Sequence, residues 1–122
     1  MLPQFYRDRY QEFSQALESL QQTATPANLD RIPLRQRFEQ LQQLFHQQIL
    51  GLDTDELDPA DIARVQSYLT EIDKQMRLLG MDLTFLQAAR QSATQEVRLV
   101  QIKSRIQTLI GYCQAVLELG NQ

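Results

Sequence analysis

The sequence predicts an all-α protein, an antiparallel bundle of about four helices. Three observations carry that expectation. Apolar residues recur at helical spacing in four separate stretches, four Gly and four Pro leave few turns, and the connections between stretches are short. Glutamine, a good helix former, supplies about one residue in six, while Val, Ile and Thr are too sparse for a sheet protein.

The first helix is expected from Pro3 to about Thr23. Tyr6, Phe13 and Leu20 repeat every seven residues, with Tyr10 and Leu17 beside them on the same stripe. Pro3 suits a first helical turn, where its missing N–H costs nothing. Thr25-Pro26 ends the helix, because proline disfavours helical geometry in the residue before it. Asp30 is the candidate N-cap of the second helix, with Pro33 in its first turn. That helix carries Leu34, Phe38, Leu41, Phe45 and Leu52, widened by Leu44 and Ile49, and Gly51 is the expected stop.

An acidic connection follows, from Leu52 to Leu57. Asp58-Pro59-Ala60-Asp61 then supplies a cap, a proline at the first helical position and a carboxylate for the positive helix end. The third helix bears a heptad seam of Ile62, Val65, Leu69, Ile72, Met76, Leu79, Leu83 and Leu86. A second stripe of Leu78, Met81, Phe85 and Ala88 joins it, so the stretch from Met76 to Ala89 is expected to be buried on more than one side. The fourth stripe is Leu99, Ile102, Ile106, Leu109, Cys113 and Val116, with Gly120 closing the chain. Ser92 and Gln95 are spaced like a capping box, which favours a break near Arg90 to Thr94. A single continuous helix through the third and fourth stripes stays open.

The whole 122-residue chain reads as one helical domain. The third helix would span roughly 50 Å and the first two about 30 Å each at 1.5 Å per residue. Part of the long helices would lack cover, and homodimerisation along them is the expected remedy.

Hydrophobic residues at 43% exclude a disordered chain. The net charge of -3 argues against general nucleic-acid binding, which needs clustered Lys and Arg. Five of the acids, Asp53, Asp55, Glu56, Asp58 and Asp61, sit in one segment, so the helical body is slightly basic. The single cysteine excludes an intrachain disulfide, and no apolar run reaches the roughly 20 residues of a membrane span. No signal-peptide pattern opens the sequence, and a cytoplasmic location is expected.

Catalytic residues, cofactor ligands and metal ligands are not expected. His46 has Ile49 and Leu50 where a metal site would place ligands, and Cys113 lies on a core seam. The acidic connection fails as a calcium loop, since Leu57 occupies a ligand position and Pro59 follows. It reads instead as a solvated loop of capping carboxylates. Arg31, Arg35 and Arg37 gather at the start of the second helix, and Arg90, Arg98, Lys103 and Arg105 mark the fourth. Helix solubility explains both groups, and a basic face for an acidic partner segment is the functional alternative. For a protein partner the residues chosen are Met81, Phe85, Arg90, Arg98 and Arg105, because interfaces favour Arg, Met and aromatics around a desolvated centre.

Several stretches resemble a known family. These are Tyr6-Arg7-Asp8-Arg9-Tyr10-Gln11, RQRFEQLQQLFHQQI ending at Ile49, the run from Arg64 through Thr94 with MRLLGMDLTFLQAARQSAT, and LIGYCQAVL near the end. Together they resemble the cyanobacterial PatD family of heterocyst-frequency control proteins over nearly the whole chain. The resemblance implies a cytoplasmic, non-enzymatic regulator that binds the tubulin-like division GTPase FtsZ and modulates its assembly, linking division to heterocyst frequency. In an organism without heterocysts the division role alone would apply. The resemblance carries no site residues. The competing expectations are a structural homodimeric spacer or subunit of a larger assembly and a nucleic-acid-binding helical protein. The last would need its basic residues on one face.

Overall fold

The computed structural model describes residues 2–26 and 31–119, with the backbone alone at Arg31. Four helices follow one another: α1 (Gln4–Thr23), α2 (Arg31–Leu44), α3 (Pro59–Ala88) and α4 (Ser92–Glu118). A π-helical turn, Phe45–Ile49, extends α2. No strand occurs among the described residues.

The pairing is antiparallel throughout. Phe13 of α1 stacks on Phe45 at the end of α2, ring centroids 5.5 Å apart. Gln21 of α1 donates to the Lys103 carbonyl and to Gln107 of α4, while Tyr10, earlier in α1, lies near Cys113, later in α4. Tyr68 of α3 meets Tyr112 of α4, and Phe85 meets Arg98. In each pair residue numbers rise on one helix as they fall on the other. The result is an up-down-up-down bundle, with α4 packed against both α1 and α3.

The stripes do the packing. Tyr6, Tyr10, Phe13, Leu17 and Leu20 of α1 are buried, as are Leu34, Phe38, Leu41, Phe45 and Ile49. On α4 all six of the expected seam residues, Leu99 to Val116, are buried. Each such side chain contributes roughly 1.5–3 kcal/mol when fully removed from water. On α3, Val65, Ile72, Met76, Leu79, Leu83 and Leu86 are buried, but Ile62 and Leu69 only partly.

Termini and connections mostly follow local chemistry. Pro3 is the N-cap of α1 and Asp58 that of α3, with Pro59 at the first position. Asp58 fills that place with extended backbone and no side-chain cap bond. The acidic connection is pinned from both sides. Asp53 Oδ1 accepts the Asp55 N–H at 2.9 Å, and Leu57 is buried in the core. The break expected near Arg90 falls between α3 and α4, where Ala89 and Gln91 are extended. Asp30 and Gly120 lie outside the described residues.

Two expectations are corrected. The capping box is absent: Gln91 is the N-cap, Ser92 is the first helical residue, and Gln95 Nε2 donates to the Ala89 carbonyl at 3.1 Å. Sequence spacing could not show that the chain turns into the helix one residue early. Gly51 follows the helix end as expected, just after the C-cap Leu50, and the residues before it pass through the π turn, with Leu50 N–H donating to the Phe45 carbonyl. The end of α3 is not buried on both flanks. Met81 is 52% exposed, Phe85 45%, and Ala88 is also exposed, because α1 and α2 cover only the inner side of the α3–α4 hairpin.

Candidate functional site

The outer side of the α3–α4 hairpin is where exposed apolar and charged groups gather. Leu78, Met81 and Phe85 lie three and four residues apart, which puts them on one face of α3. Val97 and Val100 share a face of α4 and are 57% and 67% exposed. Their exposure follows from helix lengths. Gln21, near the end of α1, reaches Lys103 and Gln107, so α4 before Lys103 runs past the end of α1. Five large apolar side chains spaced this way would ordinarily be core.

Between the two helices lies an open groove of about 600 Å³, lined by Gln75 and Asp82 of α3 and by Arg98, Val100, Gln101, Ser104, Arg105 and Thr108 of α4. Its floor is a polar network. Arg105 Nε donates to Asp82 Oδ2 at 2.6 Å, and Arg105 Nη1 donates to Gln75 Oε1 at 2.8 Å. Asp82 is the buried charged residue among those described. At the upper end the Arg98 guanidinium sits over the Phe85 ring, 4.7 Å from its centroid, and donates to Gln101 Oε1 at 3.1 Å. The stacking holds both side chains in place while leaving guanidinium edges toward solvent.

The structure brings together three of the five residues chosen from sequence. Arg98 and Arg105 line one groove, Phe85 stacks on Arg98 at its end, and Met81 stands on the adjoining ridge. Arg90 is exposed in the connection just past the end of α3. Arg105 does not present a free charge, since it is committed to Asp82 and Gln75. Sequence reasoning passed over Asp82, Gln75, Val97 and Val100. A signal for Asp82 was there: it lies three residues after Leu79 and four before Leu86, a carboxylate set into an apolar seam.

The other candidates sit apart. Arg35 pairs with Glu39 at 3.3 Å and Arg37 donates to Ser19, so these two arginines serve exposed surface contacts, and the Arg31 side chain lies outside what is described. His46 is exposed on the π turn with its ring 5.6 Å from that of Phe45. Cys113 is buried, and burial pushes its thiol up to about 12, so it stays protonated and unreactive at neutral pH. Burial also raises the Tyr10 phenol, with smaller contributions from Tyr6 and Cys113. Burial, then the nearby Asp53 carboxylate, raises Tyr6. Among the described residues no group of three His, Cys, Asp or Glu could hold a metal ion, and no helix is long and apolar enough to cross a membrane.

No curated protein and no solved structure matches the chain. A family model described as the CRR41 C-terminal domain matches residues 48–113. That stretch runs from the π turn through the acidic connection and all of α3 to Cys113 in α4, and so contains both walls of the groove. It covers more than half of the 122 residues, and the chain belongs to the CRR41 C-terminal domain family.

Proposed function

We propose that the protein is a non-enzymatic regulator that works in the cytoplasm by binding another protein through the outer face of its α3–α4 hairpin. One observation carries this reading. Phe85, Met81, Val97 and Val100 stand in water on α3 and α4, with Arg98 stacked on Phe85, on a bundle whose inner seams are already filled. Exposed apolar side chains clustered beside arginine are the composition of a protein interface rather than of an idle surface.

The resemblance to the PatD family makes FtsZ the candidate partner and modulation of its assembly the candidate role. Co-sedimentation with FtsZ polymers tests it. Added at stoichiometric excess, the protein is expected to pellet with the polymers and to change their mass, and Val100→Asp is expected to abolish both effects. An unchanged polymer mass removes FtsZ as the partner.

The overhang of α3 and α4 beyond α1 favours a second reading, a homodimeric spacer whose copies cover each other's exposed ridge. Light scattering on the eluting protein separates the two. A dimer that Val100→Asp converts to monomer supports the spacer, and a monomer leaves the ridge for a different protein.

A further inference from the structure

The geometry points to the kind of element this face receives: an acidic amphipathic helix of about three turns, seated along the outer α3–α4 groove. This deepens the protein-binding reading above and rests on it. Size comes first. The groove follows α3 along Gln75 and Asp82 and α4 from Thr108 back to Arg98, which stacks on Phe85. Ten residues at 1.5 Å each give a trough roughly 15 Å long, the length of about ten helical residues. Two helices side by side leave the kind of furrow into which a third packs.

Apolar complement comes second. Met81 and Phe85 on the α3 side and Val97 and Val100 on the α4 side together leave on the order of 400 Å² of side-chain surface in water. That suits the one apolar face of a short helix.

Charge selects the partner's sign. The chain carries a net -3, but five of its fifteen acids sit at the far end of the bundle, in the connection from Asp53 to Asp61. On the outer face, Lys74 shares the ridge of Leu78 and Met81, Arg90 lies at its end, and Arg98 stacks on Phe85. Asp82 and Arg105 compensate each other in the floor, as Asp73 and Arg77 do on α3, which leaves Glu71 and Glu96 as the acids opposing Lys74, Arg90 and Arg98. The face is therefore locally cationic. A two-fold contact through it would set these cations against their own copies, whereas carboxylates flanking the apolar face of a partner helix would pair with them. Arg98 is preorganised for such a bond by its stacking and its bond to Gln101.

The test uses a fluorescein-labelled, hydrocarbon-stapled peptide of about 12 residues, with leucines three and four apart flanked by glutamates, and a sister with every Glu replaced by Lys. Both are titrated into the full chain by anisotropy, with amide shifts mapped in the same samples. The acidic peptide is expected to bind at least about tenfold more tightly than its sister and to shift amides around Phe85, Val97 and Val100. Arg98→Glu is expected to erase or reverse the preference, and Val100→Asp to abolish binding. Circular dichroism checks that each variant folds, and the comparison between the two peptides needs no variant. The inference is overturned if the acidic peptide does not bind, if both peptides bind equally, if the shifts map elsewhere, or if this face proves to be a dimer contact. Should FtsZ pelleting depend on Val100 while the acidic peptide fails, the partner-binding reading stands and the helix is wrong. Failure of both removes both.

Discussion

Removing Arg105 should destabilise the bundle more than removing its partner, and removing both should cost little. Arg105 and Asp82 meet at 2.6 Å between α3 and α4, with side chains 24% and 10% exposed. Arg105→Met strands a nearly buried carboxylate. The cost of breaking such a pair from one side is about 3–5 kcal/mol when fully buried, and partial access to water reduces it here to about 2–3 kcal/mol. Asp82→Leu leaves the more exposed guanidinium with Gln75 and solvent and adds an apolar side chain to the seam, so it should cost about 1 kcal/mol. Asp82→Leu with Arg105→Met replaces the pair by packing and should fall within about 1 kcal/mol of the parent. The coupling between the two sites is then about 2–3 kcal/mol.

Urea unfolding followed by helical circular dichroism at neutral pH measures all four proteins. With a slope of about 1–2 kcal/mol per molar urea, Arg105→Met should lower the midpoint by more than about 1 M while the double variant stays near the parent. Strictly additive single effects, or an Arg105→Met loss under about 0.5 kcal/mol, would refute the claim that Asp82 needs its cation.

Other outcomes follow from burial, helix propensity and ionisation. Ile106→Ala, at a fully buried place on the helix that α1 and α3 share, should cost about 2–5 kcal/mol in the same urea assay. Gly111→Ala should stabilise by about 0.5–1 kcal/mol, because an added Cβ there meets nothing within 4 Å. Gly80→Ala should gain less, since its Cβ would sit 3.3 Å from the Phe38 ring. Stability should fall in alkali. The folded chain holds protons on Cys113 (thiol raised to about 12) and on Tyr10 that the unfolded chain releases near the ordinary values of about 8.5 and 10. Above about pH 9 the unfolded state therefore binds fewer protons, and stability declines with rising pH by up to about 1.4 kcal/mol per unit for each group. Urea midpoints at pH 8, 10 and 11 check the slope, which Cys113→Ala and Tyr10→Phe should each flatten.

Helix number, order and inward faces were legible because burial writes them as period. Every apolar residue of the α1 and α4 stripes is buried, and Pro59 and the extended Ala89 to Gln91 segment mark real ends. The site was legible only in part. Period shows that a residue lies on a face but not whether another helix covers that face. The Leu78, Met81 and Phe85 stripe was therefore expected to be core, yet two of its members stand in water. Arg105 looked like an available cation because its partner, 23 residues away, comes into reach only when α3 and α4 pair. Val97 and Val100 break the three-four pattern of the α4 seam, and that irregularity was the signal for an outward apolar pair. The π turn at Phe45–Ile49 left no mark, since Phe45 and Ile49 are four apart and fit a plain α-helix equally well.

The division of the chain bears on where function resides. The family match takes in α3 and most of α4, begins at the last two residues of the π turn, and stops short of α1 and α2. An isolated α3–α4 hairpin would leave both of its sides in water: the inner seam of Leu79, Leu83, Ile102 and Ile106, and the outer ridge around Phe85. In this chain α1 and α2 cover the inner side completely enough that Phe13, Leu17, Leu79, Ile102 and Ile106 have no exposure, and they give the outer side nothing. On the proposed reading, stability and recognition fall on opposite faces of the same two helices. Substitutions at Ile102 or Ile106 should lower the unfolding midpoint strongly, whereas those at Met81, Val97 or Val100 should leave it nearly unchanged and, on the proposed reading, alter what the protein binds.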